Sequence, residues 1–265
     1  MPITTRDGII AGVLPPEQIL KVGVATVAGR HYSPFYVAGR PGAAVANVAG
    51  TSGLALTSYP GQIPFSNPAS GNTYLARLWA NVNTPGTLIL CDRLWHNSGL
   101  SAVSAALQSF TSVDWPARDL DGSSDGRGVM IGFEVSTLMG AGTPTFKLDY
   151  TNSAGDTGKT ITTAAQPTAM PVGSFIPIEL AAGDVGVQKI VGWTLSATMT
   201  SGAYHLVAYR PLASVDIALA NVGQAMNYLT LGFPRLHDNT VPFFLWLPST
   251  TTAPLIQSQL VYTQG

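Results

Sequence analysis

Val129-Met130-Ile131-Gly132-Phe133-Glu134-Val135-Ser136-Thr137-Leu138, followed after a Gly/Pro turn by Thr145-Phe146-Lys147-Leu148-Asp149-Tyr150-Thr151, decides the fold class of this chain. In both runs the large apolar side chains fall on alternate positions: Ile131, Phe133 and Val135, then Phe146, Leu148 and Tyr150. A period of two gathers them on one face of a β-strand, whereas a helix with its period of 3.6 would scatter them. The same strand-and-turn rhythm continues in both directions. It predicts strands over 74–82, 86–96, 100–110, 129–138, 145–151, 159–164, 175–180, 187–197, 203–210, 241–247 and 255–262, parted by Gly, Pro, Asn and Asp clusters. The alanine-rich run 101–108 has helical propensity but sits among strands and lacks caps, so it reads as strand. A short helix is expected within 219–229. No internal repeat or heptad is visible, so one main domain is expected.

Composition points the same way. Charged residues make up 10% of the 265-residue chain and hydrophobic ones 46%, against about 25% charged in ordinary soluble domains. Nine arginines stand against four lysines, and eleven aspartates against three glutamates. Lys and Glu, which coat solvated helices, are nearly missing, while Asp suits turns and Arg suits fixed bidentate contacts. A surface so thinly charged is prone to association, which predicts that other subunits cover part of it. With a net charge of −1 there is no basic field to hold nucleic acid. No apolar stretch approaches the ~18–20 residues of a membrane helix, so no membrane partner is expected.

Residues 1–69 differ in character. Pro15-Pro16, Pro34, Pro41-Gly42, Pro60-Gly61, Pro64 and Pro68 cut short apolar pieces apart, which reads as an extended arm with many turns that lies on a neighbour, or equally as a loop-rich cap over its own domain. Pro15-Pro16-Glu17-Gln18-Ile19-Leu20-Lys21 could open one helical turn, because Pro is favoured at the first helical position. The fold expected is therefore all-β: a jelly-roll-like antiparallel β-sandwich over 70–265, with an irregular extended Pro/Gly-rich N-terminal arm over 1–69.

Several motifs invite a chemical reading. Ser153-Ala154-Gly155-Asp156-Thr157-Gly158-Lys159-Thr160 resembles a phosphate-binding loop, but Ser153 replaces the first glycine and the residues after it are β-prone. Without a helix N-terminus to aim its amides, the segment reads as a hairpin turn. Asp119, Asp121 and Asp125 have the spacing of a cation loop, yet Met130 stands where an EF-hand needs its bidentate Glu. A divalent site there would need ligands from another strand or subunit. The histidines His31, His96, His205 and His237 are scattered, with no metal-ligand spacing. Glu134 and Glu179 would have to form the carboxylate pair of any glycosidase-like hydrolase. The single cysteine, Cys91, lies in the apolar run Thr87-Leu88-Ile89-Leu90-Cys91 and reads as a buried, inert thiol. No catalytic residue, confident metal site or cofactor is expected, and the chain reads as a non-enzyme.

Two segments concentrate rings and charges: Cys91-Asp92-Arg93-Leu94-Trp95-His96-Asn97-Ser98-Gly99 and Leu231-Gly232-Phe233-Pro234-Arg235-Leu236-His237-Asp238-Asn239-Thr240-Val241-Pro242-Phe243. Trp and Arg are the usual anchors of protein interfaces, which makes Arg93, Trp95, Arg235, His237, Phe243 and Trp246 candidate contact residues. Trp95 or Trp246 could instead stack on a sugar, or the rings could simply close the core.

These two segments, the Tyr262-Thr263-Gln264-Gly265 ending and the Pro/Gly/Ala-rich, charge-poor style resemble virion structural proteins of tailed bacteriophages. The resemblance implies a β-sandwich or jelly-roll module that decorates or cements a capsid, or sits in a collar or tail. Its partners would be further copies of itself and other virion proteins, a major capsid or tail protein. The virion would assemble in the bacterial host cytoplasm. A carbohydrate-binding module or host-recognition adhesin of a tail or fibre, binding a surface glycan, is the alternative on the same fold.

Overall fold

The computed structural model describes residue 3 and residues 5–47 and 50–265. In chain order these form helix α1 (Arg6–Ala11), strands β1 (Glu17–Val22) and β2 (His31–Tyr32), a 3-10 turn (Pro34–Tyr36), β3 (Gly39–Arg40), β4 (Leu54–Ala55), β5 (Thr73–Val82), β6 (Gly86–His96), β7 (Leu100–Ser101) and β8 (Gln108–Ser109). There follow β9 (Met130–Thr137), β10 (Phe146–Asn152), β11 (Lys159–Thr162), β12 (Ser174–Ile178), β13 (Val187–Leu195), β14 (Ala203–Ile217), β15 (Gln224–Asn227), α2 (Tyr228–Leu231), β16 (Arg235–Leu236), β17 (Pro242–Pro248) and β18 (Leu255–Gln264). The protein is all-β, and its strand pairings are antiparallel. Among the described residues no helix is long and apolar enough to cross a membrane.

The chain builds two compact units. The first contains Thr57–Asp92, Pro211–Gly265 and the described residues of Met1–Val45; the second contains Arg93–Arg210 and those of Ala46–Leu56. The alternation that marks each strand does not say which strands share a core, so the sequence alone predicts a single domain with a boundary after residue 69. The compact units divide elsewhere.

In the first unit one sheet runs β15-β5-β18-β1-β3, with β16 also against β5. Its inward side chains, among them Leu75, Leu78, Val82, Ile256 and Leu260, meet Leu88 and Leu90 of β6, Phe244 and Trp246 of β17, and Val215 and Ile217 of β14. The other side of β17 is buried too. Phe243 meets Phe35 edge-on at 5.8 Å, and Phe35 stacks on Tyr59 at 6.1 Å. The Pro-rich segment is therefore irregular but does not project as an arm: its Phe35 and Tyr59 stretches pack onto the first unit, and the described residues of Ala46–Leu56 belong to the second. Glu17–Val22 forms no helical turn, because Glu17, Ile19 and Lys21 alternate with Gln18, Leu20 and Val22, and all six pair with Leu255–Leu260 of β18. Period-two burial against an available strand outweighs the weak proline signal. The Lys21 ammonium, turned inward, donates to the carbonyls of Val37 and Gly42 at 3.0 Å each. Burial lowers its pKa to about 8.

In the second unit the sheet β11-β10-β13-β8 faces strands β9, β12 and the Ala203–Arg210 part of β14. The alternation predicted around Phe133 holds. Its ring packs against Phe146 and Tyr204 at 4.3 Å and against Trp193 at 5.8 Å, and all four are buried. The phosphate-loop look-alike is the β10–β11 hairpin turn, in which the Asn152 side chain accepts from the amides of Ala154 and Asp156. Two expectations shift. Within 101–108 only Ser101 and Gln108 belong to strands, with turn between them, and the helix expected in 219–229 is reduced to Tyr228–Leu231. Within that segment Gln224–Asn227 pair with β5 instead.

Gly132 sits where a Cβ would overlap the Phe175 ring on neighbouring β12. Gly132→Ala should overpack this contact and cost about 1–3 kcal/mol, read as a lower urea midpoint of unfolding with unchanged β-sheet circular dichroism.

Candidate functional site

Strand β6 carries the first of the two ring-and-charge segments, and the structure turns it inward. Arg93, Trp95 and His96 have no exposed surface. The Arg93 guanidinium donates to the Glu134 carboxylate of β9 at 2.7 Å, with both side chains fully buried. Its Nε donates to His96 Nδ1 at 3.1 Å. Arg118 closes the cluster from above, donating to the backbone carbonyls of Leu56 at 2.7 Å and Arg93 at 3.2 Å. His205 of β14 completes it, opposite Glu134 in the β9–β14 register.

The electrostatics follow from burial. His96 is lowered to about 2 by desolvation, then by the charges of Arg93 and His205. His205 is lowered to about 4 by desolvation, which, with a smaller push from Arg93, outweighs the upward pull of Glu134. Both imidazoles are therefore neutral at physiological pH. This is a charge-compensated polar cluster closed to solvent, so it holds strands together and offers no surface to a substrate or partner.

The candidate contact residues are corrected accordingly. Trp95 packs against Trp115 at 5.5 Å, and its indole N–H donates to the Ser52 carbonyl at 2.9 Å. Gly53, at φ +61, passes directly over that indole, where any side chain would collide with it. Phe243 and Trp246 are core residues of the first unit. His237 is buried, and its carbonyl accepts from the Thr240 amide and hydroxyl. Of the six, Arg235 alone is exposed, on β16. Rings and charges close together in sequence mark interiors as readily as interfaces, because a buried ion pair brings its own partners and needs no second molecule.

The acidic loop is also self-satisfied. The Asp119 carboxylate accepts from the amides of Asp121, Ser123, Gly126 and Arg127 and from the Ser123 hydroxyl, at 2.7–3.1 Å. Burial acts to raise its pKa, but these bonds outweigh it and hold the carboxyl below its ordinary value. Asp121 is turned to Arg127 at 2.9 Å, and Asp125 accepts from Ser123. The Asp119 carboxylate thus spends its oxygens on N–H and O–H donors and Asp121 on Arg127, while Asp125 only shares the Ser123 hydroxyl with Asp119. Among the described residues no group of three His, Cys, Asp or Glu is placed to hold a metal.

Glu134 and Glu179 do not form a catalytic pair. Ile178 lies opposite Ile131 in the β9–β12 ladder, so Glu179 falls about four residues from Glu134, roughly 13 Å along the strands. Hydrolytic carboxylate pairs stand about 5–9.5 Å apart. Cys91 is fully buried.

Sequence reading missed a groove that faces solvent. Across the outer face of the first unit's main sheet runs a groove of about 420 Å³, floored by β1 and β18 and flanked by Arg40 of β3 and Trp79 of β5. Gln18 stands opposite Gln259, and Gln259 opposite Trp79; in the next row Arg40, Leu20, Gln257 and Asn81 follow one another. The signal was present: Arg77, Trp79 and Asn81 occupy the parity opposite Leu78, Ala80 and Val82. A smaller hollow of about 260 Å³ lies by Ile161, Gln166, Ile176 and Glu179. There the Gln166 amide is already spent on Thr163 and Ala164.

No protein family and no curated protein matches the sequence. Among solved structures the chain is similar to the VP2 subviral particle of infectious bursal disease virus, at 9% identity and a TM-score of 0.20, with 95% of this chain and 80% of that chain covered. It is similar to the structure of the Gt strain of that virus, at 9% identity and a TM-score of 0.20 over 96% and 81% of the two chains. The T=1 particles derived from the virus are similar at 8% identity and a TM-score of 0.17, over 96% and 79%. At these scores the likeness adds nothing to the all-β assignment, which rests on the strands themselves.

Two tests probe the buried cluster. Glu134→Gln should leave Arg93 uncompensated and cost about 3–5 kcal/mol of stability, measured by urea unfolding. Because unfolded histidine titrates near ~6.5, the unfolded chain binds more protons than the folded one below that pH. Stability should be full above about pH 6.5 and fall steadily as pH drops to 4 and below. Urea midpoints at pH 7, 5.5 and 4.5 check this, and His205→Gln should flatten the slope.

Proposed function

We propose that this protein is a structural component of a virion, a capsid decoration or cement protein of a tailed bacteriophage, acting through subunit contacts and not through catalysis. The observation that carries this reading is a charge-poor surface set with exposed aliphatic side chains. In the second unit Leu107, next to the short strand β8, and Val191 of the adjoining β13 stand out into solvent, as do Val103 and Val113 nearby in sequence. Strand β8, only Gln108–Ser109, closes one edge of its sheet, and Leu107 and Val191 leave exposed apolar surface beside that edge. A solvated single subunit gains nothing from such side chains, whereas a lattice would bury them at each contact. Many weak contacts on one particle add up, so no single interface has to be strong.

The partners in this reading are further copies of the chain and a major capsid or tail protein, and the location is the virion, assembled in the bacterial cytoplasm. The absence of enzymatic activity belongs to the same proposal. The one buried carboxylate of the cluster is committed to Arg93, which supports a load-carrying and not a catalytic interior.

Light scattering over a concentration series is the direct test. The expected result is a mass that rises to a defined oligomer or to larger particles, and that Leu107→Glu with Val191→Glu returns towards one chain. A strict monomer at high concentration, with no retention on purified capsids or tails, overturns the reading.

A further inference from the structure

We propose that the groove on the outer face of the β3-β1-β18-β5 sheet is a binding site for an oligosaccharide that carries an acidic group. The site is independent of the assembly reading and uses a different surface.

Trp79 is the first observation. Of the five tryptophans, Trp95, Trp115, Trp193 and Trp246 are buried, and Trp79 alone is partly exposed. Its indole is not loose: it lies against Gly223, the residue before β15, where an added Cβ would collide with the ring. A flat ring held in place on a solvent-facing sheet is a stacking platform, and binding then costs little side-chain entropy.

The floor beside that ring is made of amides. Gln259 lies directly opposite Trp79, with Gln18 next in the same row and Gln257 and Asn81 in the row beside it. Each amide presents donors and an acceptor together in a fixed plane. Hydroxyl groups, which both donate and accept, suit such a surface. A protein partner would instead want a continuous apolar centre, and here Leu20 and Trp79 are separated by the glutamines. Among the described residues the only link between these side chains is Asn81 to Gln257, at 3.5 Å, so the amides remain available to a ligand.

Arg40 supplies the charge. It closes the far wall of the groove, and among the described residues no carboxylate pairs with it. No acidic side chain lines the groove. Three strand spacings separate Arg40 from Trp79, about 14 Å, which suits a short chain of sugars better than a single one. One cation is too little for a nucleic-acid backbone but enough to select a sugar bearing a carboxylate. In the bound state one pyranose would lay its C–H face on Trp79, its neighbours would bond to Gln18, Gln257 and Gln259, and the acid would face Arg40.

The experiment uses the full chain on an immobilised oligosaccharide panel with acidic members (uronate- and sialate-bearing) and neutral members of matched length. The expected result is retention of acidic members, with a change in tryptophan fluorescence that arises from Trp79. Trp79→Ala should weaken retention at least about tenfold, Trp79→Tyr should keep most of it, and Arg40→Gln should abolish the preference for acid. Gln257→Ala and Gln259→Ala give a second route if Trp79→Ala misfolds, and circular dichroism reports folding of each. Retention of no panel member, or equal retention by wild type and the Trp79 and Gln variants, overturns the site. Equal retention of acidic and neutral members overturns the role given to Arg40. A change in oligomer mass in Trp79→Ala, without loss of sugar binding, shows the face to be a contact between copies and also overturns the proposal.

Discussion

Strand β6 has almost no solvent-facing side, and that constraint organises much of what surrounds it. From Leu90 to His96 every residue is buried. A strand in that position must have its polar side chains satisfied from within, because water cannot reach them. Asp92 accepts from the Val241 amide at 2.9 Å, Arg93 pairs with Glu134, and His96 accepts from Arg93. Arg118 adds donors to the carbonyls of Leu56 and Arg93 from the loop that also carries Asp119. The neutrality of His96 and His205, and with it the loss of stability expected in acid, follows from the same exclusion of water.

The same constraint explains the behaviour of the Pro-rich N-terminal region. Strand β17 pairs with β6 along its whole length, and both of its faces carry large apolar side chains. One face meets the core of the first unit, and the other needs a cover. Phe35, Tyr59 and Ile63 supply it. Prolines interrupt regular structure in that cover without preventing burial, since a turn-rich segment can satisfy its backbone through isolated bonds such as Ile63 N–H to the Pro242 carbonyl.

Interior and exterior thus divide the labour. The residues that look most reactive in sequence, Arg93, Glu134, His96 and Asp119, have their bonding capacity directed inward, towards stability. The surface is left with exposed aliphatic side chains on both units and, on the first, an amide-lined groove with a fixed indole. The two readings meet different partners on different faces, so either can stand without the other.

What the sequence determined by itself was local. Alternation at Ile131, Phe133 and Val135 and at Phe146, Leu148 and Tyr150 set strands, faces and the all-β class, because side-chain parity is a property of the strand alone. Scarcity of charge, burial of Cys91 and the hairpin at Asn152–Asp156 were legible for the same reason: each depends on neighbours in the chain. The tertiary structure decided everything that depends on which strand lies beside which. Glu17–Val22 became a strand only because β18 was there to pair with it, and Trp95, Phe243 and Trp246 became core, not contact, once their strands were covered on both sides. Trp79 became a platform because β1 and β18 brought Gln18, Gln257 and Gln259 to its side from positions more than sixty residues away in one direction and nearly one hundred and eighty in the other. Pairing partners so far apart in sequence are chosen by the burial of whole faces, a collective term that no single segment contains.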